Sequence, residues 1–132
     1  MVKYLIATHG EMAEGMKSTL KLLTGERTNL EFLSFYCDKY DALSKLREFF
    51  EKNKDCEIVA FTDLLGGSVN QEVLKFVSEK VHIIAGFNMA VILEIILSME
   101  ETIESNRLEE IIETAKEQLV YVNKIISTKE EV

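Results

Sequence analysis

The sequence predicts an α/β fold, an open and mostly parallel sheet of strand order 2-1-3-4 with helices on both faces. Three observations carry this. Four short apolar, β-rich runs recur at about 3–8, 30–35, 57–62 and 80–85. Helical periodicity fills the gaps between them, and strands joined by crossovers of that length must run parallel. The first and third runs both end in polar, glycine-bearing junctions, which suits neighbouring strands whose C-terminal ends flank a topological switch point.

The helices follow from apolar stripes at helical spacing. Met12, Met16, Leu20 and Leu23 form the first, Leu43, Leu46 and Phe50 the second, and Val69, Val73, Phe76 and Val77 the third. All three read as core-facing. After the fourth strand, Ala90 to Met99 is apolar nearly all round, which predicts deep burial or a subunit contact. A fifth helix over about 105–118 carries Leu108, Ile111, Ile112 and Ala115 inward. Beyond it, the β-branched content of Leu119 to Ile126 predicts a strand. There is no proline, internal repeat or low-complexity stretch, so the glycines punctuate the loops.

The bulk composition narrows the function. At 132 residues, with 47% hydrophobic and 29% charged, the chain is expected to form one domain over 1–132. A net charge of -8 argues against nucleic acid as a partner. No apolar stretch reaches the length of a membrane span and the N-terminus lacks the pattern of a signal peptide, so the expected location is cytoplasmic, without membrane insertion. Cys37 and Cys56 fall toward opposite edges of such a sheet and read as two reduced thiols. Neither has a CxxC partner or an adjacent histidine, so no metal and no cofactor are expected.

The chemistry concentrates at the two junctions. Ala7-Thr8-His9-Gly10 closes the first strand and Thr62-Asp63-Leu64-Leu65-Gly66-Gly67-Ser68 the third. A carboxylate that accepts a hydrogen bond from one ring nitrogen of a histidine leaves the other nitrogen's lone pair free, which makes an oriented nucleophile. His9 and Asp63 are the candidates for that pair. Thr8 to Glu11 and Ser68 to Gln71 fit the capping-box pattern, and two helix N-termini aimed into one crevice would favour an anion such as a phosphoryl group. Gly66 and Gly67 would let backbone amides approach it closely. His82, near the start of the fourth strand, reads as structural, and Asp38, Asp41 and the C-terminal glutamates as solvated surface.

Taken in order, Ala7-Thr8-His9-Gly10 with Ala13-Glu14-Gly15-Met16, then Asp63 to Ser68, then Ala85-Gly86-Phe87-Asn88-Met89, resemble the IIA component of the mannose family of the bacterial phosphoenolpyruvate-dependent sugar phosphotransferase system. The resemblance implies that His9 accepts a phosphoryl group from the histidine phosphocarrier protein and passes it to a IIB component. It implies that Asp63 orients the imidazole, and that Ser68, the Gly66 and Gly67 amides and Thr8 attend the phosphoryl oxygens. It also implies a homodimer formed by exchange of a C-terminal strand, at about 119–127 here. Many relatives have proline where this chain has Val69 and Ala90.

Three other readings compete. The phosphocarrier subunit of dihydroxyacetone kinase shares the fold and the relay histidine. Histidine phosphatases also place His-Gly after the first strand, but they carry arginine where this chain has Thr8 and need a second catalytic histidine that His82 is badly placed to supply. Receiver domains are phosphorylated at the position of Asp63, but they need an acidic pair after strand one to hold magnesium, where this chain has Thr8-His9.

Overall fold

The computed structural model describes residues 1–37 and 41–130. Four strands, β1 (Lys3–His9), β2 (Leu30–Phe35), β3 (Ile58–Thr62) and β4 (Val81–Ala85), form one parallel sheet in the order β2-β1-β3-β4. The helices are α1 (Met12–Thr24), α2 (Ala42–Lys52), α3 (Ser68–Leu74), α4 (Met89–Ser98), α5 (Ser105–Lys116) and α6 (Val122–Glu130). The expected class and strand order are therefore those observed.

Alternation along the central strands explains the layering. Tyr4 and Ile6 of β1 and Val59 and Phe61 of β3 point to one face, where α1, α4 and α5 supply Met16, Leu20, Ile92, Ile95, Ile96 and Ile111. Leu5 and Ala7 of β1 and Ile58 and Ala60 of β3 point to the other, against Leu46, Phe49 and Phe50 of α2 and Val69 and Val73 of α3. Every residue of β3 is buried, as expected of a strand covered on both faces. The greasy segment after β4 proves to be a core helix, with Val91, Ile92, Ile95 and Ile96 buried.

Expectations change for the helical stripes and for the C-terminal segment; besides α1, Leu43 at the start of α2 and Val77, beyond the end of α3, are exposed rather than core-facing. In α1 the inward stripe is Ala13, Met16 and Leu20, while Met12 and Leu23 are more than half exposed. Met16 and Leu20 stay inward as expected, and the small Ala13, three residues before Met16, takes the inward place expected of Met12. The second correction is larger: the segment expected as a strand at 119–127 pairs with neither edge of the sheet. A strand needs a neighbour to take its amides and carbonyls. Lacking one in the single chain, this segment bonds locally, with the Lys124 and Ile125 amides donating to the Tyr121 carbonyl as α6 begins. Asp38 lies outside the described residues, whereas Asp41 caps α2 by accepting from the Ser44 amide at 3.1 Å. Cys37 and Cys56 are free thiols, and among the described residues no helix is long and apolar enough to cross a membrane.

One buried polar group ties the start of the sheet to the helical layer. Tyr4 is fully buried, and its hydroxyl donates to the carbonyl of Met99, the residue that ends α4. Burial pushes the phenol pKa up to about 12, despite the opposing influence of Arg27. Tyr4→Phe keeps the ring but leaves that carbonyl without its donor, and should cost about 1–3 kcal/mol in urea unfolding. An unchanged midpoint would show that the tie carries no net stability.

Candidate active site

The sheet brings the two junctions together through register. β1 and β3 run side by side with Ala7 opposite Thr62, so the next residues of both strands, Thr8-His9 and Asp63, emerge at one end. β1 also borders β2, with His9 opposite Phe35. Chain direction across the sheet reverses between β2 and β3, which makes the gap between β1 and β3 the switch point where ligands of such sheets bind.

His9 is held twice by the same oxygen. Asp63 Oδ2 accepts the His9 backbone N–H at 2.8 Å and the ring Nδ1–H at 2.9 Å. Asp63 Oδ1 accepts the Leu64 amide at 3.1 Å. Burial alone would raise the carboxyl's pKa, but the His9 amide, the His9 ring and that ring's charge together outweigh it and hold the group below its ordinary value. An ionised carboxylate can only accept, so in the neutral form of the ring Nδ1 carries the proton and Nε2 carries the lone pair. The His9 side chain is 37% exposed and that of Asp63 14%, so the carboxylate is sheltered beneath a ring that solvent reaches.

Nε2 faces hydroxyls. Ser68 Oγ lies 3.3 Å away, and the Tyr36 phenol donates to that Oγ at 2.6 Å. The Tyr36 ring centroid is 5.6 Å from that of His9, with the planes inclined at 35°. Sequence reasoning missed Tyr36. The signal available was its position one residue beyond β2, since an order of 2-1-3-4 makes the loops after both β2 and β3 flank the end of β1.

Several of the groups expected to contact a phosphoryl group have hydrogen-bond partners within the protein. The Gly66 amide donates to Asn70 Oδ1 at 3.0 Å and the Gly67 amide to the Leu64 carbonyl at 3.1 Å, so both are already engaged. Gly67 matters for another reason. A Cβ there would stand 3.3 Å from His9 Cε1, so the missing side chain is what lets the loop lie against the ring. Gly66, at φ +76°, takes the left-handed turn that precedes it. Thr8 is fully buried and its Oγ1 accepts the Ala13 amide at 2.8 Å, while Ser34 Oγ accepts the Glu14 amide at 3.2 Å. These hydroxyls anchor α1 from the sheet and occupy two of its first amides.

Neither capping box forms. Ser68 is the first residue of α3 rather than its cap, which frees its hydroxyl for the site, and the Glu11 side chain caps nothing. Asn70, almost completely buried, donates to Thr62 Oγ1 at 2.9 Å while accepting from Gly66, and so pins the loop to the end of β3. In the third motif, Asn88 caps α4 by accepting the Val91 amide at 2.9 Å and donates to the Ala115 carbonyl at 2.7 Å, joining α4 to α5. Among the described residues no group of three or more His, Cys, Asp or Glu could hold a metal ion.

A carboxylate-oriented imidazole at the switch point of a parallel sheet, with one nitrogen turned outward, marks an α/β protein whose candidate site centres on one histidine. Comparison with known proteins agrees on one group. Residues 3–116 match the family described as the PTS system fructose IIA component. The PTS system fructose-specific EIIA component of Bacillus subtilis is 27% identical over 108 residues, covering 76% of this chain and 72% of that protein. A crystal structure from Klebsiella pneumoniae, described as a phosphoenolpyruvate-dependent sugar phosphotransferase system permease, superposes with a TM-score of 0.82 at 27% identity over 95% of this chain and 93% of that one. The PTS IIA protein associated with the fucose utilization operon of Streptococcus pneumoniae gives 0.74 at 28% identity over 95% and 96%. The chain belongs to the mannose- and fructose-type family of IIA components of the sugar phosphotransferase system.

The electrostatics of Asp63 carry a testable sign. Its folded pKa lies below the ordinary 3.8, so its contribution to stability is fully present above that value and is lost as pH falls through the lower, folded one. Wild type should exceed Asp63→Asn by about 1 kcal/mol at neutral pH. That gap should close in denaturant titrations carried below pH 3.8. A gap independent of pH would contradict the linkage.

Proposed function

We propose that this chain is a cytoplasmic phosphoryl carrier, one IIA domain over 1–132, in which Nε2 of His9 takes a phosphoryl group from the histidine phosphocarrier protein and passes it to a IIB component. The observation that carries the reading is the double hold of Asp63 Oδ2 on His9, which leaves Nε2 as the nucleophilic nitrogen. In the loading step the Nε2 lone pair forms the new N–P bond as the donor's N–P bond breaks, and that electron pair returns to the donor imidazole. No proton changes place. Nδ1 keeps its hydrogen and goes on donating it to Asp63, whose charge offsets the positive character that the ring acquires. Ser68 Oγ is positioned to donate to a phosphoryl oxygen, and ring exposure of 37% gives a docking protein access to Nε2.

Incubation with phosphoenolpyruvate, the general phosphotransferase enzyme and the phosphocarrier should yield acid-labile, base-stable phosphate on the wild-type chain and none on His9→Ala. Labelling that survives in the variant would sink the assignment.

The carrier is further proposed to act as a homodimer joined through its C-terminal segment. Leu119 and Tyr121 are 88% and 72% exposed, and Val122, Ile125 and Ile126 add to the same short stretch of uncovered apolar surface. Sedimentation should give the mass of two chains for the full protein and of one for a chain ending before Leu119. Two monomers would refute the pairing.

A further inference from the structure

We propose that Tyr36 is a phosphoryl-binding residue of this site, its phenol donating to the phosphoryl oxygens of phosphorylated His9. The inference rests on the relay reading above and extends it to a residue outside the junction motifs.

Tyr36 is poorly explained as a structural residue. Its side chain is 67% exposed, so burial does not reward its placement. Its backbone sits at φ +67°, the left-handed region that a tyrosine enters at a cost and glycine enters freely; among the described residues it is the one non-glycine there. Adopting that turn brings the phenol to the Ser68 hydroxyl at 2.6 Å and the ring beside His9. A strained turn and an exposed aromatic thus converge on the one open nitrogen of the site.

The hydrogens in the chain are ordered. Nδ1–H donates to Asp63, so Nε2 is an acceptor, Ser68 O–H donates to it, and Tyr36 O–H donates to Ser68 Oγ. Once Nε2 is bonded to phosphorus its lone pair is gone and Ser68 loses its acceptor. The phosphoryl group supplies new acceptors in the same space. Nε2 and the phenol oxygen are separated by at most two hydrogen-bond lengths, a span that one phosphoryl group and one hydrogen bond fill. Both hydroxyls can then turn their existing hydrogens onto phosphoryl oxygens, with no proton gained or lost. Neutral donors suit a group that must leave again, because they hold the anion without the grip of a fixed cation.

The test uses the full chain, phosphorylated through phosphoenolpyruvate, the general enzyme and the phosphocarrier, with Tyr36→Phe and Tyr36→Gly beside wild type. Tyr36→Phe keeps the ring and Tyr36→Gly relaxes the turn, so together they separate the hydroxyl from the backbone. Both should keep the wild-type circular dichroism spectrum, load about tenfold more slowly and share a displaced phosphohistidine ³¹P resonance. A wild-type resonance in Tyr36→Phe overturns the proposal whatever its loading rate, since slow loading alone would place the phenol in partner docking. A displaced resonance in Tyr36→Gly alone also overturns it, by making the turn the cause. If wild type itself takes no phosphate on His9, the relay reading fails and this inference with it; if wild type loads and Tyr36→Phe matches it, only the role of Tyr36 falls.

Discussion

The site depends on a single carboxylate oxygen. By accepting both the backbone N–H and the ring N–H of one histidine, Asp63 Oδ2 closes a small cycle that fixes the side chain's rotamer, its ring orientation and its tautomer together. Any one of these could be set by other means, but a shared acceptor makes them inseparable. The charge persists because the two hydrogen bonds offset the cost of sheltering the carboxylate.

That cycle is available because of where the sheet places its strand ends. Parallel pairing of β1 with β3 delivers the donor and the acceptor from residues 54 positions apart in the chain, each one or two residues past its last paired neighbour. The layers behind them keep the strands from sliding: buried Thr8 and Ser34 hold the start of α1 to the sheet, and Asn70 holds the loop of Gly66 to Thr62. Most of the polar groups around His9 therefore serve to hold its surroundings in place.

Much of this was legible in the sequence. Four β-rich runs separated by helical stripes gave the strands to within a residue or so, and two strand-end motifs singled out His9, Asp63 and Ser68, which the fold brings together. What escaped has physical causes. The identity of Gly66 and Gly67 reveals small residues in a tight loop but not whether their amides are already engaged, because their acceptors, Asn70 and Leu64, are chosen by loop geometry. Thr8 fits a capping pattern, yet reaches the amide five residues on because a strand rather than a turn presents it. Tyr36 has no motif, and its placement beside His9 depends on a backbone angle that side-chain identity argues against. At Leu119 to Ile126 β propensity was real but had no neighbouring strand to satisfy it, so local bonding prevailed.

The contact between Gly67 and the imidazole edge has a consequence for traffic. With the Gly67 loop lying against Cε1 and the carboxylate closing off Nδ1, the ring leaves one nitrogen open, Nε2. Under the relay proposed above, the partner that delivers cargo and the one that collects it would both have to reach that same atom.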